Sequence, residues 1–331
     1  MNDLPATVRF YDFRPTAQSF GDAVAEGLRK DQKSIPSRFF YDDRGSELFE
    51  RICELDEYYV TRTELSLLRE TSAKITRHMG RNRDVVEFGC GSSAKVRAVL
   101  DAADQPSSYC AIDISKSALL TLARELADAY RALEIIAVCA DYTAQLSLPG
   151  TNGGSLKSSE GQAKVGFFPG STIGNFTHKD AEQFLQTAAS MLGPGGSLII
   201  GVDLKKDIRT LEAAYDDAKG VTAQFNLNLL ARINRELGGK IELSSFRHKA
   251  FFDPVEGRVE MHLESLVDQH IALEGMEVRL AAGETIHTED SYKYTIDEFK
   301  ALASRCGFEP VAAWTDDDAL FSIHYLTVAA G

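Results

Sequence analysis

The 331 residues carry 36 basic and 49 acidic side chains, a net charge of −13, with 44% hydrophobic and 26% charged content. That is the composition of a soluble globular protein, long enough for one large or two ordinary domains. A phosphate backbone or an anionic membrane needs clustered Lys and Arg, so this balance argues against both partners. A small charged substrate is compatible with it.

The opening MNDLPATVRFYDFRP has no apolar h-region, and no stretch nears the ~18–20 apolar residues of a membrane span. A cytoplasmic protein with no obligate protein partner is expected. Five scattered cysteines (Cys53, Cys90, Cys110, Cys139, Cys306) fall in no metal-ligand spacing, so they read as reduced buried thiols and no metal is expected. HTED at 287–290 reads as strand or loop rather than as a ligand pair.

Residues 1–60 show helical patterning broken by turns, and 62–79 read as an amphipathic helix. The rhythm then changes. DVVEFG, SYCAIDIS, EIIAVCADY, KVGFFPGS and SLIIGVDL read as strands, separated by the helices SAKVRAVLDAA, KSALLTLARELADAY and KDAEQFLQTAASML. This alternation predicts an α/β fold, a parallel sheet with helices on both faces. The Gly/Ser-rich insert at 150–164 reads as a surface loop with nothing catalytic in it. Residues 209–237 form one long helical pattern with a weak point at Gly220. LSSFRHKAFFD, RVEMHLESLVDQHIAL and MEVRLAAGETIHTE then alternate as antiparallel strands. A helix at 295–306 and two final strands return to the first architecture, so an α+β unit is inserted into an α/β domain.

EFGCGSSAKVR (87–97) sits on a strand–turn–helix. Gly89 and Gly91 let backbone approach a ligand at a helix N-terminus, where Lys95 follows, and Asp113 at the next strand end suits ribose hydroxyls. The motif alone fits a nicotinamide dinucleotide or S-adenosylmethionine equally well. Glu87 interrupts the apolar strand where dinucleotide sites run unbroken. Asp141 and Tyr142 end the third strand with an acid and a ring suited to adenine. The closing strand pair forms a terminal antiparallel hairpin. With these features the chain resembles a Rossmann-like class I S-adenosylmethionine-dependent methyltransferase.

Longer stretches carry a closer resemblance. FFYDDRGSELFERICELDEYYVTRTE (39–64), GSTIGNF (170–176), AYDDAKGVTAQFNLNLL (214–230), RVEMHL (258–263) and GETIHTEDSYKY (283–294) resemble the L-histidine Nα-methyltransferases. That family of histidine-specific methyltransferases starts ergothioneine biosynthesis by converting histidine to Nα,Nα,Nα-trimethylhistidine, hercynine. The resemblance runs from about residue 36 to the last strand. It implies a methyltransferase domain at 63–206 and 294–331 and a substrate-binding domain at 18–62 and 207–293. It implies that Asn175 and Tyr215 hold the substrate carboxylate, that Tyr58 and Phe49 line the pocket, and that Tyr41 stands near the amine as the catalytic tyrosine. Glu289 and Ser291 would hydrogen-bond the imidazole, with Met261 against its ring. The implied ligands are S-adenosylmethionine, L-histidine and its mono- and dimethylated forms.

Taken singly, the tyrosines fit satisfied core residues, Glu289 a solvated strand end and Met261 core packing. The sequence departs from the family at Cys90 and at Asp290, which strand alternation should turn away from the pocket. A methyltransferase for another amino acid such as tryptophan, a dehydrogenase and a non-catalytic S-adenosylmethionine-binding regulator remain as alternatives.

Overall fold

Two kinds of strand, one apolar on both faces and one alternating, build two different sheets. The computed structural model describes residues 4–15, 18–91, 93–149, 163–273 and 276–329. The strands are β1 (Val8–Asp12), β2 (Lys33–Ser34), β3 (Asp84–Phe88), β4 (Ser108–Asp113), β5 (Glu134–Cys139), β6 (Lys164–Phe168), β7 (Ser197–Asp203), β8 (Phe246–Asp253), β9 (Arg258–Ser265), β10 (Gln269–Leu273), β11 (Met276–Leu280), β12 (Thr285–Tyr292), β13 (Phe308–Thr315) and β14 (Phe321–Val328). The helices are α1 (Phe20–Gly27), α2 (Asp43–Cys53), α3 (Tyr59–Met79), α4 (Ser93–Leu100), α5 (Lys116–Ala129), α6 (His178–Leu192), α7 (Ile208–Tyr215), α8 (Val221–Leu237) and α9 (Ile296–Arg305).

The larger sheet runs β1-β5-β4-β3-β6-β7-β14-β13 among the described residues. Its strands are parallel from β1 to β7, while β14 and β13 form the expected antiparallel hairpin on its edge. Alternate residues feed two cores, Val85, Tyr109 and Ile135 on one face and Val86, Cys110 and Ile136 on the other. Sheets buried on both faces need such continuous apolar strands. Strand order reverses between β3 and β6. In open α/β sheets the ligand crevice lies at that switch, beyond the C-terminal strand ends. The turns after β3 and β6 therefore face one crevice.

The smaller sheet runs β2-β12-β9-β8, and β10 pairs with β11 in a separate ribbon. Helix α8 packs on α2 and on β8. The inner face of this sheet meets the large sheet through the turn after β6. A Cβ on Gly174 would stand 2.7 Å from the carbonyl oxygen of Tyr292, so backbone touches backbone there.

Several elements differ from the sequence reading. The N-terminal region contains strand β1, which extends the large sheet beside β5, and the short β2. The pattern at 209–237 is two helices. Gly220 takes φ +68°, and the Asp217 carboxylate accepts from Val221 N and Thr222 N, capping α8 as a fresh helix. The stretches read as single strands at 258–273 and 276–289 each divide, because Ser265 pairs with Gly283 and Glu284 across the base of the ribbon. The insert lies outside the described residues as far as 162, and Lys164 opens β6.

Candidate active site

At the end of β3 the chain turns through Gly89 at φ +79°, whose N–H donates to Ile112 O. A Cβ on Gly91 would meet nothing within 4 Å, so the turn borders open space. Asp113 closes β4 with both oxygens engaged: Cys90 N donates to one at 2.8 Å and Ser115 N to the other at 2.7 Å. Burial raises its pKa, and these N–H donors oppose the rise. Asp141 accepts from Thr143 N and Oγ1. The neighbouring Tyr142 ring packs edge-on against Phe168 and Phe184 and lies 3.4 Å from where a Gly89 Cβ would be. Three adjacent strand ends thus present a glycine turn, an acid, and an acid with a ring.

Lys95 turns to Glu64 of α3, 2.7 Å away. Glu64 is 1% exposed and accepts from Gly170 N with both oxygens, at 2.8 and 2.9 Å. It reaches this place only because residue 201 is glycine: a Cβ there would lie 2.1 Å from Glu64 Oε1. The carboxylate ties the β6 turn to the helix after the β3 turn.

The string GSTIGNF divides its labour. Gly170 (φ +84°) and Ser171 (φ +53°) sharpen the turn, and Ser171 Oγ accepts from Asp203 N. Thr172 Oγ1 donates to Pro169 O. Asn175 extends across the crevice and donates from Nδ2 to Glu289 Oε1 at 3.3 Å.

On β12, Glu289 and Ser291 share the inner face with Met261, the cross-strand partner of Glu289 on β9. A bulge at Thr288 shifts the alternation. His287 and Asp290 therefore share the outer face, where Asp290 meets Arg258 and His287, as alternation had suggested. On that face Glu260, His262 and His287 bring their ligand-type atoms within 4.8 Å of one another, with Arg258 paired to Glu260. Burial raises Glu289 to about 7, against the pull of Lys293.

Tyr215, at the end of α7, donates to Ser291 Oγ at 2.7 Å. Tyr58 stands edge-on to Tyr215, and Phe49 edge-on to Tyr58 and Tyr41. Tyr41 is 47% exposed at the mouth of this wall. These contacts bring Tyr41, Phe49, Tyr58, Asn175, Tyr215, Glu289 and Ser291 into one cluster, with Met261 opposite Glu289 on the neighbouring strand. Gly89, Gly91, Asp113, Asp141 and Tyr142 gather at the adjoining strand ends, and Lys95 is turned toward Glu64.

Other participants escaped the sequence reading. Phe225 of α8 contacts Phe40, Tyr41 and Phe49 and backs the aromatic wall. Lys293 is buried with Nζ 2.7 Å from Asp203 Oδ2. Asp203 also accepts from Tyr59 and Lys206. Burial alone would raise Asp203, but the two lysines hold it below the usual carboxylate range. All but Asp203 and Lys206 lie inside the stretches that carry the family resemblance.

Comparison with known proteins decides between the alternatives. The model of a family described as "Histidine-specific methyltransferase, SAM-dependent" matches residues 20–328. The chain belongs to this family. It is 38% identical over 315 residues to the histidine N-alpha-methyltransferase of Mycolicibacterium smegmatis, covering 91% of this chain and 95% of that one. Its identity to the histidine N-alpha-methyltransferase of Mycobacterium tuberculosis is also 38%, over 91% of this chain and 92% of the other. The ergothioneine biosynthesis protein 1 of Neurospora crassa is 29% identical over 86% of this chain and 32% of that larger protein. The cofactor of the family is S-adenosylmethionine, and the residues present fit it: an open glycine turn, the Asp113 carboxylate and the Tyr142 ring line the switch point. Among the described residues no helix is long and apolar enough to cross a membrane.

Proposed function

We propose that this histidine-specific methyltransferase transfers methyl groups from S-adenosylmethionine to the α-amino nitrogen of L-histidine. Three rounds through the mono- and dimethylated forms give Nα,Nα,Nα-trimethylhistidine, the first step of ergothioneine biosynthesis in the cytoplasm. The observation that carries this reading is the meeting of Asn175 and Tyr215 with Glu289 and Ser291 in one pocket beside the glycine turn.

When bound, S-adenosylmethionine supplies an electrophilic methyl group on sulfur. Gly89, Gly91, Asp113, Asp141 and Tyr142 would hold it, with Lys95 bracing the turn through Glu64. The unit formed by 63–206 and 294–331 is the cofactor part and that formed by 18–62 and 207–293 the substrate part. The protein's remaining task is to position a neutral amine for in-line displacement. An α-amino group titrates near pH ~8 in peptides, so the site must favour its deprotonated form. Tyr41 orients that nitrogen. The Asn175 amide and Tyr215 hydroxyl donate to the substrate carboxylate without themselves carrying charge. Glu289 and Ser291 read the two ring nitrogens, and Met261 packs beside the ring. Phe49, backed by Phe225, supplies an apolar wall that accommodates the amine as methyl groups accumulate.

Calorimetric titration of L-histidine, Nα,Nα-dimethylhistidine and L-tryptophan in the presence of S-adenosylhomocysteine tests this, followed by mass spectrometry of a turnover mixture. Binding of histidine and its dimethyl form, with a product three methyl groups heavier, is expected. Preferential binding of tryptophan would overturn the reading of Glu289.

A further inference from the structure

Lys293 lies two residues beyond Ser291, its side chain fully shielded from solvent. Its Nζ stands 2.7 Å from Asp203 Oδ2, 2.8 Å from Ser291 Oγ and 3.0 Å from Tyr215 Oη. An ammonium has three hydrogens and no lone pair, so all three are donated here. Ser291 Oγ and Tyr215 Oη are themselves 2.7 Å apart. Each already accepts from Lys293, and at that separation one hydroxyl hydrogen must lie between them. The other hydroxyl hydrogen points out of the triangle. Tyr215 can therefore donate into the pocket, or Ser291 can, but not both while Lys293 pins the two oxygens together.

We propose that Lys293 is a positioning residue that couples the two ends of the substrate through this triangle. The inference rests on the reading that Tyr215 takes the substrate carboxylate and Ser291 the imidazole. When Tyr215 gives its hydrogen to the carboxylate, Ser291 gives its own to Tyr215 and offers the ring only a lone pair. The ring then faces two acceptors, Ser291 Oγ and the Glu289 carboxylate. It is held best when ring and Glu289 together carry one proton more than a neutral imidazole beside a carboxylate, whichever partner keeps it.

The surroundings favour such a proton. Glu289 sits at about 7 in its buried position, so a modest further push protonates it or its partner. The groups acting on it are Lys293, Asp290 and His287 of its own segment, with Tyr41, Tyr58 and Tyr215 across the pocket. Behind the triangle stand Asp203 and Lys206 from the end of β7 and Tyr59 from α3. Among the described residues, Lys293 alone donates to both Ser291 and Tyr215.

The test is calorimetry of Nα,Nα,Nα-trimethylhistidine binding to the enzyme holding S-adenosylhomocysteine, at pH 8 in buffers of different ionisation enthalpy. The trimethylated amine cannot titrate, and an imidazole with a pKa near ~6.5 is neutral in solution at this pH. Wild-type protein is expected to take up close to one proton on binding. Lys293→Met frees Ser291 to turn its hydrogen to the ring, so uptake should fall below half a proton along with affinity. A lysine that acts only through its charge on Glu289 would lower uptake in Lys293→Met but leave it unchanged in Ser291→Ala, which keeps that charge. That result, unchanged uptake in Lys293→Met, or binding to wild type without uptake, overturns the proposal. Should Lys293→Met fail to fold, Ser291→Ala decides: reduced uptake supports the coupling, and unchanged uptake overturns it. Failure of wild type to bind trimethylhistidine at all would strike the substrate reading itself and the coupling with it.

Discussion

Asn175 donates to Glu289 across 3.3 Å, joining the turn after β6 to β12 where the two proposed ends of the substrate meet. A histidine seated between them replaces one protein–protein bond with a bond at each end. Glu289→Ala should therefore cut kcat/KM for histidine by about 100-fold or more, since a site built to pair a polar group discriminates strongly through it. Affinity for S-adenosylhomocysteine should stay within about threefold, because Glu289 acts on the other side of the crevice. Steady-state kinetics and calorimetry on one preparation check both, and equal loss of the two would count against the assignment.

Asp113 holds the β3 turn through the N–H of Cys90 and its own loop after β4 through that of Ser115. Asp113→Asn keeps the shape but removes the charge and one acceptor. Cofactor affinity should fall by about 10- to 100-fold, the scale of a hydrogen bond to a charged group. At saturating cofactor the apparent KM for histidine should be unchanged. Titration with S-adenosylhomocysteine and kinetics at several cofactor concentrations provide the measurement.

Gly201 is the space into which Glu64 reaches. Gly201→Ala should cost about 1–3 kcal/mol, the range of core overpacking. The cost should shrink in a Glu64→Ala background, which removes the 2.1 Å approach to Glu64 Oε1 and leaves the methyl against the Phe321 ring at 3.0 Å. Urea unfolding of the four proteins gives the cycle, and additive effects would mean that the clash is not with Glu64.

Glu87 is buried in β3 and accepts from Tyr109 Oη; burial lifts its pKa to about 8. A carboxyl raised in the folded state contributes full stability below its unfolded pKa of about 4.5 and loses it as pH rises through 8. The wild-type protein should thus weaken between pH 5 and 8.5, by an amount on the order of a few kcal/mol. Glu87→Gln should flatten that slope and be the more stable form at pH 8.5. Urea midpoints across the range test the sign.

The strand–helix alternation from β3 to β7 was legible because strands buried on both faces are apolar throughout and their helices are amphipathic. β1 was not, since its partner β5 lies more than 120 residues away and five residues at a sheet edge carry little pattern. The break between α7 and α8 showed in the sequence only as a weak point at Gly220, because helical spacing continues across it; the Asp217 cap and the left-handed Gly220 interrupt the backbone. In the site, Asn175, Tyr215, Glu289 and Ser291 could be named through extended motifs. The Tyr59–Asp203–Lys293 chain could not, because Tyr59 and Asp203 are 144 positions apart and meet only through tertiary packing.

The missing side chain at Gly174 has a consequence for selectivity. With no room for a methyl group between it and the backbone of Tyr292, the turn bearing Asn175 sits directly against the strand bearing Glu289 and Ser291. On the proposed reading, the offset between the two serves as a gauge of one amino-acid length. If Asn175 holds the carboxylate and Glu289 and Ser291 the imidazole, as proposed, a homologue one methylene longer or shorter than histidine should engage one end and leave a buried polar group idle at the other.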